Sequence, residues 1–562
     1  MVETFSDLIP YYSWLYIPIA LLALFTILKY RKSSNLFSSN REKIISLIFG
    51  ILFVSLYISG LVIASGGGYN EKSMGFMLVS CCLFSAAIGI GYHFINLFLA
   101  KQFETAPYES QSLLLRHPLT FPFATMLLCW MPVFFALYPG LFAYDVGSQI
   151  PQTFGSYSKH HPLLHTFFLK AFYKLGEKIG SYNTGMALSV LVQMAMLALS
   201  LAYSIRYLIR IRVKKTTVIA VLIFFSTIPI FPILAVSMTK DILFSAAFLA
   251  SLIKILELRD GGFKDLGIRN WMLIFVLFTL TALLRNNGKY AVFAVVAVFF
   301  IEALITKSNR KQTYVLAVTT IMLISVSDAV LTDVTQASEI RKNEMMSVPY
   351  QQLARAYKYN PASFSSEDAS SLKNLIPNIG NYNQYLSDPI KLTATVFNSS
   401  ENQKLFCRIY FKYMLRILDR YAEAFLANTM GYWYLDDISA APQPWGLFAM
   451  YTTSGFGVTH ESKFNWLDRT LKMLFNENKY QELPVISVLF NMGMYFWLLL
   501  TSIFYCIQQK KKTVTVPLVF IIVYTATIFA GPCAYFRYAF PVIVCIPFFM
   551  AVAYNEPKNT HL

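Results

Sequence analysis

The chain has 562 residues, of which 56% are hydrophobic, 16% aromatic and only 14% charged, with a net charge of +17. Soluble globular chains carry roughly 25% charged residues, so the composition excludes a soluble protein and indicates an all-α polytopic membrane protein. The Lys and Arg residues lie in short loops between apolar runs, with no Arg-rich or aromatic-interleaved soluble patch, which sets nucleic acid aside as a partner.

The first ten residues, Met1 to Pro10, are acidic and lack the basic start and small-residue cleavage site of a signal peptide, so the first apolar run is expected to stay as an anchor. A helix needs about 20 apolar residues to cross the hydrocarbon core. Runs of that kind lie near 11–30, 44–65, 73–100, 119–140, 183–205, 216–236, 241–258, 270–285, 288–306, 313–331, 485–508, 514–531 and 538–554, which predicts about 13 transmembrane helices. Basic clusters follow the odd-numbered runs: Arg31 to Lys43, Arg206 to Lys215, Lys254 to Arg269, Lys307 to Lys311 and Lys510 to Lys512. By the positive-inside rule those loops are cytoplasmic. The expected location is the plasma membrane, with the N-terminus outside and the C-terminus inside. The remaining loops then share the outer face.

The first of these outer loops, 141–182, follows Tyr138-Pro139-Gly140 and carries Tyr144, Asp145, Gln149 and the clustered His160, His161 and His165. Leu163, Leu164, Phe167, Phe168, Ala171, Phe172, Leu175 and Ile179 recur at helical spacing behind them, with Lys170, Lys174 and Lys178 on another face. That pattern predicts an amphipathic helix lying in the interface, with Pro162 in its first turn and His161 at its cap. Counting it as a crossing would invert every later loop against the charge rule.

The segment 332–484 is the one stretch large enough for a domain outside the bilayer, at about 150 residues, with helices expected at 347–359, 402–428 and 463–477. Its Tyr432-Trp433-Tyr434-Leu435-Asp436-Asp437 could stack on a sugar through Tyr434, hold a cation, or form a packed loop edge. The chain therefore divides into an N-terminal three-helix segment (1–118), a membrane core (119–331), this extracellular domain, and a C-terminal three-helix segment (485–562). Cys81, Cys82, Cys129, Cys506 and Cys545 lie in apolar runs, Cys407 and Cys533 in loops, and no Cys/His spacing suggests zinc.

A carboxylate such as Asp145 at the membrane edge can act as a general base toward a hydroxyl or bind a divalent metal; the plain alternative is a turn aspartate. His161 and His165, four apart, could contact a phosphate or ligate a metal, or simply sit in the interface. Lys240-Asp241, Arg285-Asn286 and Arg537 lie at outer ends of runs, where positive charge is disfavoured and needs a partner. Converging with Asp145, these basic loops would form a pocket for a phosphate, which Arg can bind bidentately; head-group snorkelling is the alternative.

An acidic residue in the loop after an early span, an interfacial helix behind it and a late soluble region resemble the GT-C superfamily of membrane glycosyltransferases, which includes protein O-mannosyltransferases and aminoarabinose transferases. Uncharacterised Gram-positive membrane proteins near that superfamily are similar too. Asp145 matches the catalytic aspartate of the first outer loop, His160, His161 and His165 match polar residues that follow it, and Arg537 with Tyr538 and Pro541 resembles a late-loop basic and aromatic pattern. The resemblance implies transfer of a sugar from a polyprenyl-phosphate donor to a cell-envelope acceptor (glycan, lipid or protein). Asp145 would be general base, Arg537, Lys240 and Arg285 would bind the donor phosphate, and Tyr144, Gln149, the histidines, Asp241, Asn286 and Tyr434 would contact substrate. Asp145 stands alone where several relatives carry an acidic pair, and three spans precede the one that would be first in the superfamily. The rival classes are a transporter or flippase of a lipid-linked glycan and a glycan polymerase or ligase. A transporter would carry ionisable groups near mid-membrane, whereas the deepest acids here, Asp328 and Glu302, lie within a turn or two of run ends.

Overall fold

A computed structural model describes residues 37–555, apart from 66–67, 109–111, 143–144, 264–265, 436–455, 476, 478 and 484–486. The apolar run at 11–30, Tyr144 and Asp436-Asp437 lie outside the described residues. Among those described, the chain is helical, with isolated backbone bridges and no strand.

The helices are α1 (Asn40–Ala64), α2 (Glu71–Gln102), α3 (Thr120–Ala136), α4 (Leu163–Lys178), α5 (Tyr182–Arg210), α6 (Lys215–Thr227), α7 (Lys240–Gly261), α8 (Ile268–Leu284), α9 (Gly288–Thr306) and α10 (Arg310–Thr335). Beyond them come α11 (Ser347–Tyr359), α12 (Ser366–Leu375), α13 (Ser400–Met414), α14 (Leu418–Trp433), α15 (Asn465–Phe475), α16 (Met492–Gln508), α17 (Thr515–Phe529), α18 (Phe536–Ile543) and α19 (Ile546–Tyr554). Each expected run from 44 onward is helical over most of its length. Among the described residues seven helical segments are long and apolar enough to cross a membrane, and α3, α6, α8 and α16 are shorter apolar helices. Helix α7 is more polar, because it carries a Lys254–Glu257 pair at 2.7 Å.

The differences from expectation have local causes. The run at 216–236 breaks after Thr227, where Pro229 and Pro232 lack the N–H groups that would continue the ladder, and resumes as a short helix at Ile230–Ala235. The run at 485–508 becomes helical only at Met492, capped by the Asn491 side chain, which accepts from the Gly493 N–H. The helix expected at 402–428 is two helices, α13 and α14, separated at 415–417.

Contacts between loops sort them into two ends. At one end Lys214 pairs with Glu104, Arg259 with Glu302, Arg41 reaches the Ile507 carbonyl, and Asn555 reaches the Phe103 carbonyl. At the other, Leu141 bridges to Ser237, Ser158 to Ser338, Asn183 bonds Glu461, and Asn428 bonds the Gly531 carbonyl. This is the division that alternating the apolar runs by their flanking charge requires.

One continuous core joins α3 and α5 to α10 with α16 to α19, and a second, separate core holds Tyr350, Leu353, Leu372, Ile390, Phe406, Ile409 and Tyr413. The expected domain at 332–484 is thus shared: its 350–421 part has its own core, while Ala427 to Tyr434 and Leu471 to Tyr480 join the membrane body.

Helix α4 starts at Leu163, one residue later than expected: Pro162 is its N-cap and not part of its first turn, so His161 lies outside the helix. The face it buries is His165, Thr166, Leu169, Tyr173 and Gly176. Of the predicted apolar stripe Leu163 is buried too, Leu164 and Phe168 pack half-buried against the core, and its C-terminal part is exposed, Leu175 at 37% and Ile179 at 50%. Helix α4 is pinned to α5 by a glycine crossing: a Cβ on Gly185 would meet the Phe172 carbonyl oxygen and lie 2.6 Å from the Gly176 Cα. Gly185→Val should push α4 off α5 and destabilise the protein by about 1–3 kcal/mol, as overpacking does, read as a lower melting temperature in detergent. An unchanged melting temperature would contradict the close crossing.

Candidate functional site

Asp145 owes its position to backbone pairing between two loops. The Leu141 N–H donates to the Val236 carbonyl (2.9 Å) and the Met238 N–H to the Leu141 carbonyl (3.0 Å). From α5, the fully buried Gln193 amide donates to the carbonyls of Ala235 (2.6 Å) and Ser237 (2.7 Å) and fixes that second loop. Asp145 opens a short helix, Val146–Gln149, and Lys240 opens α7 behind its N-cap Thr239. The two side chains therefore start from adjacent helix ends.

They meet in an ion cluster. Lys240 Nζ bonds Asp145 Oδ2, and Arg537, in the first turn of α18, grips both carboxylate oxygens, Nη1 to Oδ2 at 2.8 Å and Nη2 to Oδ1 at 3.2 Å. Arg537 Nη1 also reaches Asp241 Oδ2 at 3.3 Å, and Arg285, at the end of α8, bonds Asp241 Oδ1. The Thr239 hydroxyl donates to Asp241 (2.9 Å). Tyr538 lies between the two guanidiniums, its ring 4.7 Å from Arg285 and 4.8 Å from Arg537, and its hydroxyl accepts from Arg537 Nη2 at 3.2 Å. Three cations face two carboxylates, an excess of one positive charge. Asp241 is fully buried, whereas the Asp145 side chain keeps 18% exposure and Lys240 12%. Asp145 and Lys240 are therefore the accessible rim of the cluster and Asp241 with Arg285 its floor.

Burial would raise the Asp145 carboxyl, but Lys240 and Arg537 outweigh it and hold the group well below its usual range. A divalent cation at Asp145 would sit against those two like charges. Among the described residues no group of three or more His, Cys, Asp or Glu is placed to hold a metal ion.

The histidines form the next layer. His161 Nδ1 lies 3.4 Å from Lys240 Nζ and 3.7 Å from Asp145 Oδ2. Since the lysine can only donate, Nδ1 accepts and the proton of the neutral ring is on Nε2. His165 is fully buried, with Nδ1 3.0 Å from Gln149 Oε1. The Thr166 hydroxyl donates to the Pro162 carbonyl, so it can only accept from the Gln149 amide (2.9 Å); Oε1 therefore faces His165, whose Nδ1 carries the proton. Burial, reinforced by the Lys240 charge, pushes both His161 and His165 down to about 3.

Of the other expected residues, His160 is exposed with its ring against His161 at 4.6 Å, and the Asn286 amide donates to the Lys159 carbonyl at 3.3 Å. Arg285, expected to bind phosphate, faces the cluster's floor and is occupied by Asp241. Tyr434 lies elsewhere: it is buried against α1, its ring meeting Gly60 and lying 5.8 Å from Tyr57. Its aromatic motif is a packed edge. The residues that sequence reasoning left out of the site are Tyr538, Thr239 and Gln193. Tyr538 adjoins Arg537 in a motif already noted, but nothing in the sequence points to the other two, which act through helix-end geometry.

Residues 149–561 match DUF6020, a family of unknown function. That stretch contains Lys240, Asp241, Arg285 and Arg537 and begins just after Asp145. No curated protein and no solved structure matches the chain.

Both buried histidines take up a proton in the unfolded chain near the ordinary pKa of 6.5 and in the folded chain only near 3. Their contribution to stability is complete above the unfolded value and is lost as pH falls below it. Between about pH 7.5 and 5.5 the loss is on the order of 1 kcal/mol per histidine. The melting temperature in detergent should fall over that window, and His165→Gln should flatten the slope; an equally steep fall in the variant would contradict the assignment.

Proposed function

We propose that this chain, which belongs to the DUF6020 family, is a polyprenyl-phosphate-sugar-dependent glycosyltransferase of the GT-C type, working at the outer face of the plasma membrane through thirteen crossings. The observation that carries the reading is the meeting of Asp145, Lys240 and Arg537 from three separate loops at one end of the helix bundle, with Asp241 and Arg285 beneath them. An excess positive charge at a membrane edge suits the phosphate of a lipid-linked donor, whose chain stays among the spans.

In this mechanism the donor phosphate takes over the Lys240 ammonium and one edge of the Arg537 guanidinium. Asp145, relieved of those cations, regains basicity and accepts the proton of the acceptor hydroxyl. The oxygen attacks the anomeric carbon as the bond from that carbon to the phosphate oxygen breaks, and the electron pair leaves with the polyprenyl phosphate. Lys240 and Arg537 neutralise the charge that develops there. Asp241 and Arg285 keep Arg537 aimed, and His161 accepts from Lys240 and limits where its ammonium can turn.

Asp145→Asn should insert and fold, since its side chain is partly exposed, yet lose transfer by roughly 10²–10⁴-fold, the range of a general base. Lys240→Met should lose roughly 10²–10³-fold, as removal of one charge-stabilising donor does. The measurement is transfer of radiolabelled sugar from synthetic polyprenyl-phosphate donors by purified protein in nanodiscs. Full activity of Asp145→Asn would remove the mechanism.

Orientation has its own test. Cys407 is exposed in the 350–421 body, whereas Cys82 and Cys129, also exposed, lie on apolar helices facing lipid. A membrane-impermeant maleimide should label the native chain on intact cells, and Cys407→Ser should abolish the labelling. Labelling only after lysis would invert the topology.

A further inference from the structure

Beside the ion cluster lies an open cavity of about 570 Å³, lined by Lys159 and by Ser325, Asp328, Thr332, Asp333 and Gln336 of and just beyond α10. Ser325, Asp328 and Thr332 are three, four and seven apart on one face of the helix, with Asp333 beside them and Gln336 at its C-cap. Neighbouring faces of the same helix present Met322, Val326, Val330 and Val334, all more than half exposed, as a surface suited to lipid. A polar stripe with two carboxylates on a helix apolar enough to cross a membrane is costly unless something polar uses it.

The notch is preformed. Its far wall, 157–159, is fastened to the end of α10 by backbone bonds, Lys159 N–H to the Ser338 carbonyl (2.9 Å) and Ser338 N–H to the Tyr157 carbonyl (3.0 Å). Lys159 Nζ is shared between Glu339 at 2.8 Å and Asp328 at 3.9 Å. Asp328 itself remains 60% exposed. The wall also leads to the cluster: Asn286, next to Arg285, bonds the Lys159 carbonyl, and two residues on His161 touches Lys240. The Cα atoms of Lys159 and His161 are thus at most about 7 Å apart, and one short turn carries both the wall of the notch and the ring that touches Lys240 and Asp145.

The two neighbouring sites have opposite sign. The cluster carries one excess positive charge, while the notch sets Asp328, Asp333 and Glu339 against Lys159 alone. A phosphate or uronate is repelled from the notch. Sugar hydroxyls suit it, because carboxylates accept from them, Ser325, Lys159 and the second amide proton of Gln336 supply donors, and the Thr332 hydroxyl, whose proton goes to the Asp328 carbonyl, accepts; the volume lies within the range of small-molecule sites.

We propose that this notch is the acceptor subsite and seats an uncharged or amine-bearing, hydroxyl-rich glycan end with one hydroxyl directed toward Asp145. The inference rests on the glycosyl-transfer reading for its purpose, but its test is binding. Full-length protein in nanodiscs is titrated with methyl glucoside, glucosamine, glucuronate and glucose 6-phosphate, followed by saturation-transfer difference NMR. Methyl glucoside or glucosamine should bind, Asp328→Asn with Asp333→Asn should weaken that binding at least tenfold, and Gln336→Ala should weaken it less. Glucuronate and glucose 6-phosphate should not displace the bound neutral sugar. Neutral-sugar binding that is absent, or indifferent to both variants, or displaced by the anionic sugars, would overturn the proposal. Asp145→Asn should bind the neutral sugar normally while losing transfer, so the notch and the catalytic mechanism fail independently.

Discussion

The arrangement depends on one electrostatic constraint: of five ionised groups brought together at the end of a helix bundle, each must have an opposite charge beside it, and one positive charge is left in excess. A charge withdrawn from water without a partner carries a penalty of several kcal/mol, and removing one partner of such a pair strands the other. Asp241 meets this for Arg285, Asp145 meets it for Lys240, and the two share Arg537, whose Nη1 reaches both carboxylates while its Nη2 reaches Asp145. No two neighbouring helices could supply all five groups. The loop before α7, the end of α8, the start of α18 and the turn after α3 must all arrive together, and the cluster therefore links segments nearly 400 residues apart in sequence.

The packing beneath follows from that need. Gln193 uses both of its amide protons on the carbonyls that precede Lys240, and Tyr538 fills the space between Arg285 and Arg537 with a flat ring that both guanidiniums can face. Helix α4 closes one side. Its buried face mixes large apolar residues, Leu163, Leu169 and Tyr173, with His165, Thr166 and Gly176, which meet Gln149 and the glycine of α5. The amphipathicity visible in the sequence is real, but the helix is oriented by the hydrogen bonds and glycines of its other face.

That helix illustrates what could be read in advance. Apolar run length and flanking charge gave the helices from 44 onward and their sorting into two ends, since both signals are one-dimensional. Lys240, Arg285 and Arg537 stood out because basic residues at run ends expected to lie outside need partners, and Asp145 because it starts a polar loop. Which cation meets which carboxylate was hidden: Asp241 looked like a substrate contact and is the floor of the cluster, while Arg285 stands behind it. Tyr434 misled because an aromatic motif reads alike whether its ring meets a sugar or Gly60. The breaks after Thr227 and before Met492 depended on single prolines and caps, which a sliding apolar window averages away.

The closed state of the cluster bears on the proposed chemistry. A carboxylate gripped by a lysine and both arms of an arginine is a weak base, and a general base in that condition would be idle. In the proposed reaction a donor phosphate would compete for the same two cations, so its arrival would free Asp145, and departure of polyprenyl phosphate would clamp it again. Base strength would thus be coupled to the presence of donor, and an acceptor or water molecule reaching Asp145 early would meet an inert group. The second layer fits this economy of protons: His161 and His165 remain neutral beside the cluster, with Nδ1 of one accepting and Nδ1 of the other donating, so neither adds a further cation that would hold Asp145 or offers it a proton.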